Sequence, residues 1–164
     1  QMSDEENEFI KGDSGALNTE LVEAGRRKPG SLLMMKETFP CKVVSFSTAK
    51  PGKHGSAKAM ITGKDIFTDK QYEETYGTGD MIPAPVVVNT EYTCIDLEDD
   101  GTLQLMTKDG DMKEDLKLSD STHLKGMDKE IRKILDAGTR ECLVRCQKWG
   151  EKEQAIAVRE GNEQ

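Results

Sequence analysis

Three lysines and two glycines crowd into one short stretch, Lys50-Pro51-Gly52-Lys53-His54-Gly55-Ser56-Ala57-Lys58. Proline and two glycines break any regular element, so the stretch reads as the loop of a hairpin. Glycine permits a turn at positive φ and lets the backbone approach a partner closely. Lys53, set between Gly52 and His54 at the tip, projects as a mobile point charge. No apolar residue of the loop would desolvate its amine, which argues against a Schiff-base nucleophile. Two chemistries remain: a lysine that contacts phosphate, or a lysine presented for covalent modification by another enzyme. Gly52-Lys53 is not a phosphate-binding P-loop. His54 stands where Ser or Thr would hold magnesium, and Ser47 stands where the first glycine belongs.

Other catalytic patterns are missing. The chain contains no G-x-S-x-G, H-E-x-x-H or G-x-G-x-x-G. Its only histidines are His54 and His123. The four cysteines, Cys41, Cys94, Cys142 and Cys146, form no C-x-x-C pair and read as small buried hydrophobes of a reducing compartment. Cys142 and Cys146 should share one face of a strand. Carboxylates at Glu98-Asp99-Asp100 and Glu114-Asp115 fall at turns or along a ladder, as solvated charge does.

The net charge of −8 is unevenly spread. Residues 1–23 carry one Lys and seven acids, residues 24–84 carry ten basic and six acidic residues, and residues 85–164 carry twelve and eighteen. From Thr38 to Lys64 there are five lysines, Lys42, Lys50, Lys53, Lys58 and Lys64, and no acid. Such a window attracts a polyanion, with an affinity that falls as salt rises.

The elements that must position this loop are short strands. Residues 1–23 are expected to be a disordered acidic tail, with Ser3 ahead of three acids as a candidate phosphorylation site. Strands are expected at Ser31–Met35, Cys41–Thr48, Lys58–Phe67 and Gln71–Tyr76, giving an SH3-like barrel over 24–84. Pro83-Ala84-Pro85 marks the domain boundary. Over 85–164 a meander follows. Thr93, Ile95 and Leu97 share one face of its first strand, Leu103 and Leu105 mark the second, and Met112, Leu116 and Leu118 line the third. Met127, Ile131, Ile134 and Leu135 recur at helical spacing up to Gly138. Strands at Cys142–Trp149 and Gln154–Val158 close a five-stranded OB barrel. The fold class is thus mainly β. At 35% hydrophobic residues and a mean hydropathy of −0.67, two small domains fit better than one large core, and no run suits a membrane span. A cytosolic location is the default. The acidic second domain has few aromatic faces and suits RNA poorly, so RNA contact should lean on the first.

The loop, Ser47-Thr48-Ala49-Lys50-Pro51-Gly52-Lys53-His54-Gly55-Ser56-Ala57-Lys58, closely resembles the hypusine loop of the eukaryotic translation initiation factor 5A family. Phe39–Val44, Asp65–Thr68, Lys70–Glu73 and Glu114–Leu118 extend the resemblance, which covers about Gly25 to Val158. The resemblance implies an SH3-like barrel followed by an OB fold. It implies that Lys53 becomes hypusine, through deoxyhypusine synthase with spermidine and then deoxyhypusine hydroxylase, with no other cofactor. It implies contact of Lys50, Gly52, Lys53, His54, Gly55 and Lys58 with the ribosome and the acceptor end of peptidyl-tRNA, near the E site. There the factor would promote slow peptide-bond formation, as at proline runs, and assist termination, without being an enzyme. Pro51 and Ser56 depart from the Thr and His usual in eukaryotic members. A homodimer stays open, and an unmodified RNA-binding or ribosome-assembly module is the alternative.

Overall fold

A computed structural model describes residues 18–50, 52, 55–120 and 125–164. Pro51, Lys53, His54 and Ser3 lie outside the described residues. The chain divides into two compact units, 1–86 and 87–164.

In the first unit, β2 (Leu32–Met35), β3 (Phe39–Ala49), β4 (Lys58–Asp65) and β5 (Gln71–Gly77) form one antiparallel sheet in that order. Leu33, Met35, Cys41, Val43, Ala59 and Ile61 alternate onto its inner face and build the core. Phe39 and Tyr72 stack at the edge, ring centroids 4.4 Å apart. A Cβ at Gly63 would lie 2.5 Å from Met35 Sδ and 3.1 Å from Cys41 Cβ, so a larger residue would displace the buried Met35.

β1 (Thr19–Glu23) pairs with β6 (Met81–Pro85) as a separate ribbon. The acidic tail therefore ends earlier than residue 23. Val22 and Ile82, opposite each other in the ribbon, pack on the core, and that apolar contact outweighs the local charge. The same ribbon carries Pro83-Ala84-Pro85 within a strand, so the division of the chain falls after Val86. The prolines are tolerated because a two-stranded ribbon is all edge.

The second unit has the order β11-β10-β7-β8-β9. Its strands are β7 (Val88–Leu97), β8 (Leu103–Met106), β9 (Met112–Lys113), β10 (Arg140–Trp149) and β11 (Lys152–Glu163). Helix α1 (Met127–Ala137) lies between β9 and β10 in sequence and buries Met127, Ile131 and Ile134. Gly138, at φ 66°, ends it by donating its N–H to the Ile134 carbonyl. Leu103, Leu105, Cys142, Val144 and Cys146 are buried as their spacing predicts.

Two strand faces differ from expectation. In β7, Cys94 pairs with Leu105 but Asp96 pairs with Gln104, so Ile95 is an extra, bulged residue. Ile95 is 47% exposed, while Cys94 and Leu97 both reach the core. The third strand also slips. Met106 opposes Met112, whereas Thr102 bridges Lys117. This one-residue shift turns Met112 outward at 49% exposure and leaves Leu116 inside. Leu118 has left the strand for a short 3-10 turn, Leu118–Asp120.

Candidate functional site: the β3–β4 hairpin

The β3–β4 ladder runs from Cys41 opposite Asp65 to Ala49 opposite Lys58. On the β4 limb the core side chains continue to Ala59, opposite Thr48. On the β3 limb, beyond the half-buried Phe46, Ser47, Thr48 and Ala49 are exposed. The ladder ends one rung beyond Ala59, at the exposed Lys58, where it meets the loop 50–57.

The observed loop geometry suits presentation rather than enclosure. Gly52 adopts φ 76°, and a Cβ built there would meet nothing within 4 Å. Lys50, Gly52, Ser56 and Lys58 are exposed, and Gly55 is half-buried. The structure therefore brings Lys50 and Lys58 to the two roots of the loop, with Gly52 and Gly55 between them.

The descending limb is held from outside the hairpin. Thr78 donates its N–H to the Ala57 carbonyl at 3.1 Å. Thr78 is fixed in turn, because its carbonyl accepts from Gly25 N–H at 2.8 Å and Asp80 O accepts from Ala24 N–H at 2.9 Å. Asp80 Oδ2 also accepts from Gly77 N–H at 2.9 Å. The 3-10 turn Ala24–Arg26 thus braces the turn after β5, which braces the loop. These positioning residues carry no motif, since a backbone contact between residues 21 positions apart leaves no mark on composition.

The β2–β3 turn shapes the other end of the sheet. Lys36 and Glu37 both take positive φ, 53° and 61°. The Lys36 N–H donates to Glu74 Oε1 at 2.8 Å, and the Tyr76 hydroxyl donates to the same oxygen. Burial, then the Glu74 carboxylate, pushes the Tyr76 phenol above its ordinary range.

Among the described residues no other chemical centre competes with the hairpin. Cys41, Cys94, Cys142 and Cys146 are all free and buried. Burial, together with nearby carboxylates, pushes the Cys41 and Cys146 thiols up to about 12, so neither is a ready nucleophile. Asp100 accepts from Thr102 N–H at 2.9 Å and Glu98 from Gln104 Nε2 at 3.0 Å, which are turn-closing roles. Among the described residues no group of His, Cys, Asp and Glu could hold a metal ion, and no helix is long and apolar enough to cross a membrane.

Comparison with known proteins places the chain in a family. Residues 17–80 match the family described as translation initiation factor 5A-like, N-terminal. Residues 86–159 match the family described as eukaryotic elongation factor 5A hypusine, DNA-binding OB fold. The chain is 37% identical over 155 residues to eukaryotic translation initiation factor 5A of Spodoptera exigua, covering 94% of this chain and 93% of that one. It is 42% identical over 117 residues to initiation factor 5A-1 of Arabidopsis thaliana, covering 71% and 73%. Among solved structures, an initiation factor 5A family protein from Naegleria fowleri superposes with a TM-score of 0.71. It shares 36% identity, with 87% of this chain and 99% of that one covered. The 5A factor from Methanococcus jannaschii, at 24% identity and TM-score 0.67 over 87% and 96% of the two chains, shares the fold. The chain, an SH3-like barrel followed by an OB fold, belongs to the eukaryotic translation initiation factor 5A family of hypusine-containing translation factors.

Proposed function

We propose that this protein is a cytoplasmic translation factor whose Lys53 is converted to hypusine. The observation that carries the reading is the K-x-G-K-H-G-x-A-K sequence from Lys50 to Lys58, at the end of a hairpin whose loop roots, Lys50 and Lys58, are exposed. Deoxyhypusine synthase would transfer an aminobutyl group from spermidine to the Lys53 amine, and deoxyhypusine hydroxylase would complete the side chain. The longer cation, with its added secondary amine, would reach the phosphate and sugar oxygens of the peptidyl-tRNA acceptor end from the ribosomal E site. Acceleration would come from orienting substrates the ribosome already holds, at proline runs and during termination. In this reading the factor positions and performs no chemistry of its own.

Pro51 suits the loop in one respect. It presets φ near −65° and removes a donor ahead of Gly52, narrowing the loop's unbound conformations. Ser56 is exposed, so the smaller residue opens no hole.

Lys53→Arg tests the reading. Arginine keeps the positive charge but has no primary amine for the synthase. In a translation system depleted of its own factor, the variant should fold and fail to restore synthesis of a proline-run reporter. Peptide mapping of protein from a hypusine-making host should place the added mass on Lys53 alone. Full rescue by Lys53→Arg would favour an unmodified RNA-binding module.

A further inference from the structure

At the end of the β3–β4 ladder away from the loop, Lys42 of β3 lies directly opposite Lys64 of β4. Both side chains are exposed, and among the described residues neither forms a salt bridge. Like charges directly opposite on one sheet face destabilise it. In register, their outer neighbours are Leu32 on β2 and Gln71 on β5, both uncharged. Asp65, next in register, is turned inward and accepts from Phe67 and Thr68 N–H, so Glu73 is the nearest acid on the outer face of the sheet. It stands opposite Thr62, one diagonal step from Lys64. Alongside, the Lys28–Ser31 turn is tied to β3, with Ser31 O accepting from Val43 N–H and Gly30 N–H donating to Val43 O, both at 2.8 Å. That turn adds the exposed Lys28.

The same outer face leads to the loop. A bulge at Val44 keeps Ser45 and Ser47 pointing outward beside Thr62 and Met60. Thr75 of β5 lies next to Met60, and Lys58 closes the row. The face therefore carries the hydroxyls of Ser45, Ser47, Thr62 and Thr75, with Met60 and Glu73 among them and lysines at both ends. Along β4, the six steps from Lys58 to Lys64 span about 20 Å. That distance exceeds the Debye length of about 8 Å at physiological salt, so the two lysine groups act independently.

We propose that the outer face of the β3–β4–β5 sheet is a second RNA contact, in which Lys42 and Lys64 together hold the sugar–phosphate backbone about 20 Å from the loop. Charge complementarity selects the occupant. Two cations facing each other without an acid partner are relieved by an anion between them, and serine and threonine hydroxyls supply further donors to phosphate oxygens. The proposal rests on the translation-factor reading for its choice of ribosomal RNA.

The test uses the full chain, titrated with eukaryotic 80S ribosomes and separately with protein-free ribosomal RNA, between 50 and 200 mM KCl. Each lysine lost from a phosphate contact lowers the slope of log affinity against log salt by about 0.7–0.9. Lys42→Gln/Lys64→Gln should therefore flatten the slope by about 1.4–1.8 with both probes. The melting temperature should hold or rise, because a like-charge pair has been removed. Combined with Lys50→Gln/Lys58→Gln, the fold-losses in affinity should multiply. An unchanged slope would overturn the proposal, as would a loss seen with ribosomes but not with protein-free RNA, which would assign the face to an acidic protein. Loss only on Lys50→Gln/Lys58→Gln would leave the loop reading intact and remove this one. Wild-type protein that binds protein-free RNA through Lys42 and Lys64 but ignores ribosomes would overturn the translation-factor reading alone.

Discussion

The N–H of Thr78 meets the carbonyl of Ala57, and through this bond a turn 21 positions away holds the descending limb that follows the lysine-bearing loop. The brace depends on Gly25, where a Cβ would lie 2.7 Å from the Thr78 carbonyl oxygen and 2.9 Å from its Cβ. Gly25→Ala should force the turn outward and destabilise the first unit by about 1–3 kcal/mol, as overpacking against backbone does. It should also lower the fraction of Lys53 modified by a synthase supplied in excess. Gly79→Ala has open space around it and should leave both quantities unchanged. Equal effects from the two variants, measured by urea unfolding and intact mass, would count against the brace.

A second expectation concerns Lys36 and Glu37. Two residues at positive φ between antiparallel strands suit a type I′ turn, which favours Asn-Gly. Lys36→Asn/Glu37→Gly keeps the Lys36-position N–H that Glu74 accepts and removes the steric cost of positive φ. The double variant should be about 1 kcal/mol more stable in urea unfolding. Destabilisation would mean that the Lys and Glu side chains make a larger contribution than the turn geometry does.

In the second unit, Lys113 bridges Glu153 at 2.9 Å and Asp115 at 3.0 Å, with its nitrogen 5.7 Å from the centre of the Tyr92 ring. Burial opposes the ammonium, but the hydrogen bonds to Glu153 and Asp115 outweigh it and hold the pKa above the usual lysine range. Only 10% of the Glu153 side chain is exposed, so Lys113→Ala strands a nearly buried carboxylate. The cost should be about 2–3 kcal/mol. Lys113→Met with Glu153→Leu removes both charges and should come within about 1 kcal/mol of the parent. Chemical unfolding followed at Trp149, the only tryptophan, separates the two outcomes.

Buried thiols set the response to base. Cys41 and Cys146 are held protonated up to about 12 by burial. In the unfolded chain each ionises near 8.5. A raised folded pKa means the folded state binds the extra proton, so this contribution is complete below about pH 8.5 and falls as pH rises toward 12. Between pH 9 and 10 each thiol should remove up to about 1.4 kcal/mol per pH unit. Cys146→Ala should flatten that slope in the second unit, read at Trp149, even though its stability at pH 7 is lower. A parallel slope in the variant would exclude the thiol as its source.

The presenting hairpin was legible in the residues alone. Cys41–Thr48 is rich in Val, Phe and Thr, Pro51 and Gly52 interrupt, and no acid occurs between Thr38 and Lys64. The helix was legible too, since Met127, Ile131 and Ile134 share a face and Gly138 can take the left-handed cap. Both signals are local, because period and turn chemistry act between neighbours in sequence. What the sequence could not settle depends on pairing partners far along the chain. Ile95 faces outward because the β7–β8 register skips it, and Met112 because the ladder slips before Thr102 meets Lys117. Thr19–Glu23 becomes a strand because Val22 finds Ile82, although the segment's own charge favours solvent. The juxtaposition of Lys42 with Lys64 is of the same kind. They lie twenty-two positions apart, and only the hydrogen-bond register of two strands, fixed by the core residues between, brings the two charges face to face.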